Sequence, residues 1–432
     1  MAAVTNLEEF VSQVEAYTVN GKFSDLCELL NKSNELLVAQ IDQLDSLLET
    51  FNLENHTMAI LAILIVKMNA VHTNNQFNSA LFTQLTDFAI NANANQVQIV
   101  PETFADLFHL YTRTIIESRK PESGIYTLER AITKLQESPT QLTTLHSELC
   151  LLCLLSKNFK PAIQVLNRDI TTISKEGGQN FDTKSFLLYY YYGGMVYAAV
   201  KNYERALYFF EIVITTPAMT VSHIMLEAYK KYILISLIIN GKMINVPKHT
   251  SQVLGRFIRP LSQAYTELST AYQTSSYEEV RNCISKHTET LNRDNNMGLA
   301  KQVLASLYKR NIHRLTKTFL TLSLVDVSNR AKLEGVEQAE SYIVDMIKSD
   351  EIFATINIKD GMVIFHEDPE KYNNPKVLEE IEQKIDNCGQ IDQQIRTMKE
   401  AVELNSAYIK KVNFAGEDDL GQSQSRPSNF SV

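Results

Sequence analysis

Cys150 and Cys153 stand in a Cys-x-x-Cys pair, the spacing of half a structural zinc site or of a thiol–disulfide couple. Zinc would need a second ligand pair, and none stands at a suitable distance. The nine histidines are scattered, with no His-x-His and no His-Glu-x-x-His. The cysteines lie inside LCLLCLLS (residues 149–156), an apolar helical face. Free cysteine in such a face behaves as a small hydrophobe, so the expectation is core packing. Gly21-Lys22 and Gly241-Lys242 lack the upstream glycine and the following Ser or Thr of a phosphate-binding loop. Neither Gly-x-Ser-x-Gly nor Gly-x-Gly-x-x-Gly occurs. Asp360-Gly361 reads as a hairpin turn. No catalytic, metal-binding or cofactor-binding residue is expected, and no enzymatic activity.

Two other groups invite a ligand. Tyr189–Tyr192 are four consecutive tyrosines, which suggests base stacking. Four neighbours on a helix point in all directions, so most must pack inside the fold. Lys309, Arg310, His313, Arg314 and Lys317 form a basic cluster with no acid among them. Such a helix suits phosphate contacts. The formal net charge of -9 opposes this, as do Asp326, Glu334, Glu337, Glu340 and Asp345 close by. A surface for an acidic partner is the plainer reading, and nucleic acid is not the expected partner.

These groups must be positioned by helices. Only 14 Gly and 10 Pro interrupt 432 residues, which favours long helices. Five scattered cysteines fit a reducing compartment. The first residues show neither a basic nor an apolar signal region. The longest apolar run, residues 58–66, is far below the roughly 20 residues of a membrane span. A soluble intracellular protein without membrane partners is expected.

Apolar residues recur at helical spacing in Leu37, Ile41, Leu44, Leu48 and Phe51, again in Phe104 to Ile115, and again in Ile125 to Leu135. Polar breaks fall at 20–22, 91–98, 119–121 and 137–139. A repeat emerges at residues 190–217, with Gly194, Tyr197, Ala206, Phe210 and Pro217 near their tetratricopeptide places. Gly and Ala let two helices approach, and aromatics fill the space between them. Gly124 and Ala162 mark degenerate relatives, so the anchors Gly124, Ala162 and Ala206 stand 38 and 44 residues apart. Irregular helix pairs in a solenoid fit this better than a strict repeat.

The pattern changes after about Tyr308. Leu320, Leu322 and Leu324 alternate like a strand, and Ser323 is placed to cap a helix near Asp326. Val336, Ala339, Ile343, Met346 and Ile347 predict an amphipathic helix. Ile352, Ala354, Ile356 and Ile358 alternate as a strand, and Met362–His366 returns after the Asp360-Gly361 turn. This order predicts a winged helix with a two-stranded wing. A last helix then carries Leu378, Ile381, Ile385, Cys388, Ile391, Ile395, Met398 and Val402 in a near-heptad stripe, irregular between Cys388 and Ile391. The fold class is therefore mainly all-α: a TPR-like solenoid, a winged-helix module with a small β-wing, and a C-terminal helix.

This architecture resembles the PCI family, shared by the proteasome lid, the COP-nine signalosome and a translation-initiation factor. The stretches YYYYGGMVYAAVKNYERALYFFEIVITTPA (189–218), SHIMLEAYKKYILISLI (222–238), RDNNMGLAKQVLASLYKRNIHRLTKTFLTLSL (293–324) and KDGMVIFHEDPEKYNNP (359–375) look like the signalosome branch, and LCELLNKSNELL near Leu26 agrees. The resemblance implies N-terminal repeats over 1–185 and a PCI domain over 186–367, with its winged helix at about 310–367. It implies an assembly helix over 368–412; the polar composition of 413–432 suggests a disordered tail. It also implies a non-catalytic scaffold in the cytoplasm and nucleus, without cofactor. Its partners would be other PCI and isopeptidase-type subunits and, indirectly, cullin-RING ligases, whose cullins lose a ubiquitin-like modifier through another subunit. A proteasome-lid scaffold and a nucleic-acid-binding PCI adaptor remain alternatives. Family members join through winged-helix edges and a bundle of C-terminal helices. Here that points to Ile352, Ala354, Ile356, Ile358, Val363 and Phe365 on the wing. On the last helix it points to Leu378, Ile381, Ile385, Ile391, Ile395, Met398 and Val402.

Overall fold

Small residues decide where the helices meet. In the computed structural model, which describes residues 7–74, 79–168, 170–173, 182–218, 220–333, 335–367, 375–406 and 408–410, the 190–217 unit folds as two helices, Thr183–Ala199 and Tyr203–Thr215. A Cβ on Gly194 would lie 2.8 Å from the Phe210 ring, and one on Gly193 only 2.7 Å from Leu166 and Phe209. Buried Ala206 belongs to the second helix. The same device recurs upstream, where a Cβ on Gly124 would reach 2.6 Å from Ile115 and 2.9 Å from Leu152. The Tyr197 hydroxyl donates to Asn167 Oδ1 at 2.7 Å and ties one pair to the next.

The chain divides into two compact units, Met1–Leu315 with Val327–Gln338, and Thr316–Asp326 with Ala339–Val432. The first is the helical array, with one continuous apolar core from Leu7 to Leu307. Its only sheet, among the described residues, is a two-residue parallel pair, β1 (Gln141–Leu142) with β2 (Thr172–Ile173). The helix expected through Leu37 to Phe51 is broken. It runs as Asn34–Ala39, a 3-10 turn Ile41–Gln43 and Leu44–Thr50. Leu37 and Leu44 are still fully buried, so the apolar spacing survives the break. The polar stretch 91–98 is likewise not a plain solvated loop. Asn93 caps the short helix Ala94–Val97, and buried Gln96 donates to the Asn55 carbonyl at 2.8 Å. Among the described residues no helix is long and apolar enough to cross a membrane.

Helical structure continues past Tyr308, since helix Met297–Thr316 includes four of the five basic residues. Strand β3 (Thr321–Ser323), helix Leu324–Ala331, helix Val336–Lys348, and strands β4 (Ala354–Asn357) and β5 (Met362–Phe365) follow in winged-helix order. Ser323 Oγ accepts from the Asp326 N–H at 3.0 Å, the expected cap. The sheet order is β3-β5-β4, antiparallel throughout. The C-terminal helix spans Pro375–Glu403. The segment expected to be a disordered tail, and Glu334, lie outside the described residues.

Candidate subunit interfaces

Burial sorts the candidate residues first. Cys150 and Cys153 are completely buried in the helix Leu145–Ser156. Burial pushes the Cys153 thiol up to about 11, and that of Cys150 upward as well. A thiol held protonated in this way is a poor nucleophile and metal ligand. Among the described residues no group of three or more His, Cys, Asp or Glu side chains is arranged to hold a metal ion.

Tyr189 is buried too, its ring 5.1 Å from that of Tyr190 and 6.2 Å from Phe209. Tyr191 packs 6.2 Å from Phe210. The tyrosines thus fill the seam that the glycines open. In the basic cluster, Arg310 Nη1 donates to the Asn240 carbonyl at 2.8 Å. Asn240 is the last residue of helix His223–Asn240, whose terminal carbonyls lack helical donors. Gly241 follows at φ +63°, and a Cβ there would collide with the Arg310 guanidinium. At least this cation serves the fold.

A buried ionic network was not foreseen. Lys230 Nζ donates to Glu227 Oε1 at 2.6 Å and to Asp294 Oδ2 at 2.7 Å. The Tyr265 hydroxyl donates to the same Asp294 oxygen at 2.9 Å, and Asn296 Nδ2 donates to Tyr265 at 2.9 Å. Lys231 lies 3.6 Å from Glu227 Oε2 and 5.3 Å from the centre of the Tyr191 ring. Burial pushes the Lys231 pKa down, against the pull of Glu227. Burial alone would raise that of Asp294, but hydrogen bonds from Lys230 and Tyr265 outweigh it and hold the carboxyl below its ordinary value. The signal in the sequence was a Lys-Lys pair inside the apolar stretch HIMLEAYKKYILISLI.

The wing residues divide. Ile352, Val363 and Phe365 are buried, so their side chains are not available as a surface. Strand β5 is moreover central, flanked by β3 and β4, and offers no free edge. The expectation of a two-stranded wing with Val363 and Phe365 on its edge is corrected accordingly. The strand signal at Leu320, Leu322 and Leu324 does not show this pairing, in which Thr321, Leu322 and Ser323 of β3 stand opposite Ile364, Val363 and Met362 of β5. The outer strands are β3 and β4; in β4, Ala354 and Ile356 are half-buried, and Ile358 just beyond it is 79% exposed.

The C-terminal helix is of another kind. Leu378, Ile381, Ile385, Ile391, Ile395, Met398 and Val402 are all exposed, between 48% and 64%. Apolar stripes of this length are ordinarily covered.

A helical array followed by a winged-helix module and a free amphipathic helix defines a PCI-type helical-repeat protein. Residues 284–367 match the model of the PCI domain. Residues 20–254 match the model described as "COP9 signalosome complex subunit 3, N-terminal helical repeats". The "COP9 signalosome complex subunit 3" of Drosophila melanogaster is 45% identical, with 98% of each chain covered. The protein of the same name from Dictyostelium discoideum is 34% identical over 89% of this chain and 91% of its own. The chain belongs to the COP9 signalosome complex subunit 3 family.

Proposed function

We propose that this chain is a non-catalytic scaffold subunit of a COP9 signalosome, acting in the cytoplasm and nucleus. It holds other PCI and isopeptidase-type subunits together and so supports the removal of a ubiquitin-like modifier from cullins. Cullin-RING ligases are its indirect targets, and the isopeptidase step belongs to another subunit. The observation that carries the reading is the C-terminal helix, whose apolar stripe is exposed along its whole length. Exposed apolar surface of this extent is stabilised by burial against another chain. The outer strand β4 supplies a second contact, because an edge strand is a template for a neighbour's backbone.

The test is co-purification. Tagged full-length chain is expressed with Ile381→Glu or Ile395→Glu, and the recovered signalosome subunits are identified by mass spectrometry. Loss of those subunits with an unchanged circular dichroism spectrum is expected. Recovery equal to wild type would sink the helix as the attachment surface.

A further inference from the structure

Acidic and basic residues are not evenly mixed along this chain. The formal net charge is -9, yet residues 228–266 contain no Asp or Glu, against Lys230, Lys231, Lys242, Lys248, Arg256 and Arg259. The acids that bound this run are already matched. Glu227 pairs with Lys230 and Lys231. Glu267 accepts from Lys286 at 2.9 Å and lies 2.8 Å from His287 Nε2. Lys230 and Lys231 are buried, whereas Lys242, Lys248, Arg256 and Arg259 are exposed. Among the described residues, none of these four stands in an ion pair. Exposed Arg310 adds its guanidinium at Asn240, where the run leaves its first helix.

The backbone presents two of these cations in an uncommon form. Leu254–Ile258 is a π-helical turn, in which the Arg259 N–H donates to the Leu254 carbonyl. Pro260 follows and has no N–H to give. Turns of this kind are rare and frequently stand at functional sites. Leu254 and Ile258 are buried and anchor the turn. Arg256 and Arg259 are exposed on it, and so are Phe257, at 53%, and Leu261, at 61%. One exposed apolar residue needs no partner, and cations alone make a solvated face. Here two large apolar side chains alternate with two guanidiniums.

The chemistry of a partner follows. Guanidiniums bind carboxylates through paired N–H···O bonds, and phenylalanine and leucine gain by leaving water. A nucleic acid or a membrane surface would also meet the negative remainder of this chain. Fields between exposed charges fade beyond about 8 Å, so a short acidic segment meets the basic run alone.

We propose that the exposed face of residues 248–261 docks an acidic segment of another protein, one with large apolar side chains between its carboxylates. Arg256 and Arg259 take the carboxylates, and Phe257 and Leu261 cover the apolar side chains. Arg259 also hydrogen-bonds the Tyr229 hydroxyl, which ties it to the fold and makes Arg256 the cleaner position to change. The C-terminal helix has no part in this contact, so its failure leaves the scaffold role standing.

The test titrates full-length chain against a fluorescein-labelled peptide, EEFDELEE, with binding read by anisotropy. Saturable binding that weakens with added salt is expected. Arg256→Glu and Phe257→Ser should each weaken it by about fivefold or more, with melting temperatures like that of wild type. Lys160→Glu, at an exposed site elsewhere, alters the net charge as much as Arg256→Glu does and should leave binding unchanged. The peptide EESDESEE, which lacks apolar residues, should bind about fivefold or more weakly. Should Arg256→Glu unfold the chain, Lys248→Glu reads the same contact. No binding of EEFDELEE, equal affinity for EESDESEE, or an equal loss with Lys160→Glu each overturns the proposal. Tighter binding of oligothymidylate or of phosphatidylserine vesicles than of EEFDELEE overturns it in favour of a nucleic acid or a membrane.

Discussion

Helix His223–Asn240 keeps Lys230 and Lys231 under cover, at 5% and 8% exposed, while helix Pro375–Glu403 leaves Ile385 64% exposed. In the first helix the cations have Glu227 and Asp294 within hydrogen-bonding or ion-pair reach, so burial is tolerable. In the second helix the isoleucines have no such company, and their apolar surface stays in water. The difference shows that neighbours decide exposure more than residue type does. It also separates the groups that this chain covers by itself from the apolar surface that it leaves exposed.

The contrast breaks most visibly at Asp294. Asp294→Ala strips Lys230 of one of its two carboxylates and Tyr265 of its acceptor. A loss of about 3–5 kcal/mol is expected, as for a buried ion pair robbed of one partner. Denaturant unfolding of the full chain measures it, and a midpoint like that of wild type would show that the network adds nothing to the array.

Acid probes the same region through His146. This side chain is 3% exposed, and burial lowers its pKa from 6.5 to about 4. The Thr143 N–H donates to its Nδ1 at 3.1 Å. The folded chain refuses a proton that the unfolded chain accepts between these values. Stability therefore falls as pH drops from about 6.5 to about 4, by about 3 kcal/mol in all. His146→Gln should flatten that part of the stability–pH curve relative to wild type, and curves that run parallel would refute the assignment.

A smaller effect is expected at the helix seam. Gly194→Ala forces the Phe210 ring aside and should cost about 1–3 kcal/mol, read as a lower melting temperature. The smallest belongs to the other helix. Ile381→Glu on the isolated chain should change stability by no more than about 0.5 kcal/mol, while loss of co-purifying subunits is the outcome expected of the same change under the proposed function. A large loss of stability there would mean that the helix is completed internally, and the contrast would collapse.

Legibility followed the same division. The repeat pair at 183–215, the cap at Ser323 and the C-terminal helix are encoded locally, by glycine and alanine spacing, by a hydroxyl before a helix and by heptad apolar steps. Each was readable without a neighbour. The broken helix at 34–50 kept its periodicity across a 3-10 turn, so periodicity alone concealed the break. Strand β3 was visible in Leu320, Leu322 and Leu324, but its place beside β5 was not, because pairing joins segments about forty residues apart. That is why the sequence pattern points to Val363 and Phe365 as edge residues, whereas in the structure they are central and buried.

By itself the sequence determined an all-helical array, a winged-helix module after it and an amphipathic helix with a stripe to cover. Propensity, periodicity and capping act over a few residues, and they suffice for that. Only the tertiary structure decided that Arg310 closes a helix end, that Lys230 and Asp294 meet across 64 residues of chain, and that β5 lies between β3 and β4. Those outcomes depend on which distant groups share a space, and burial free energy is set there.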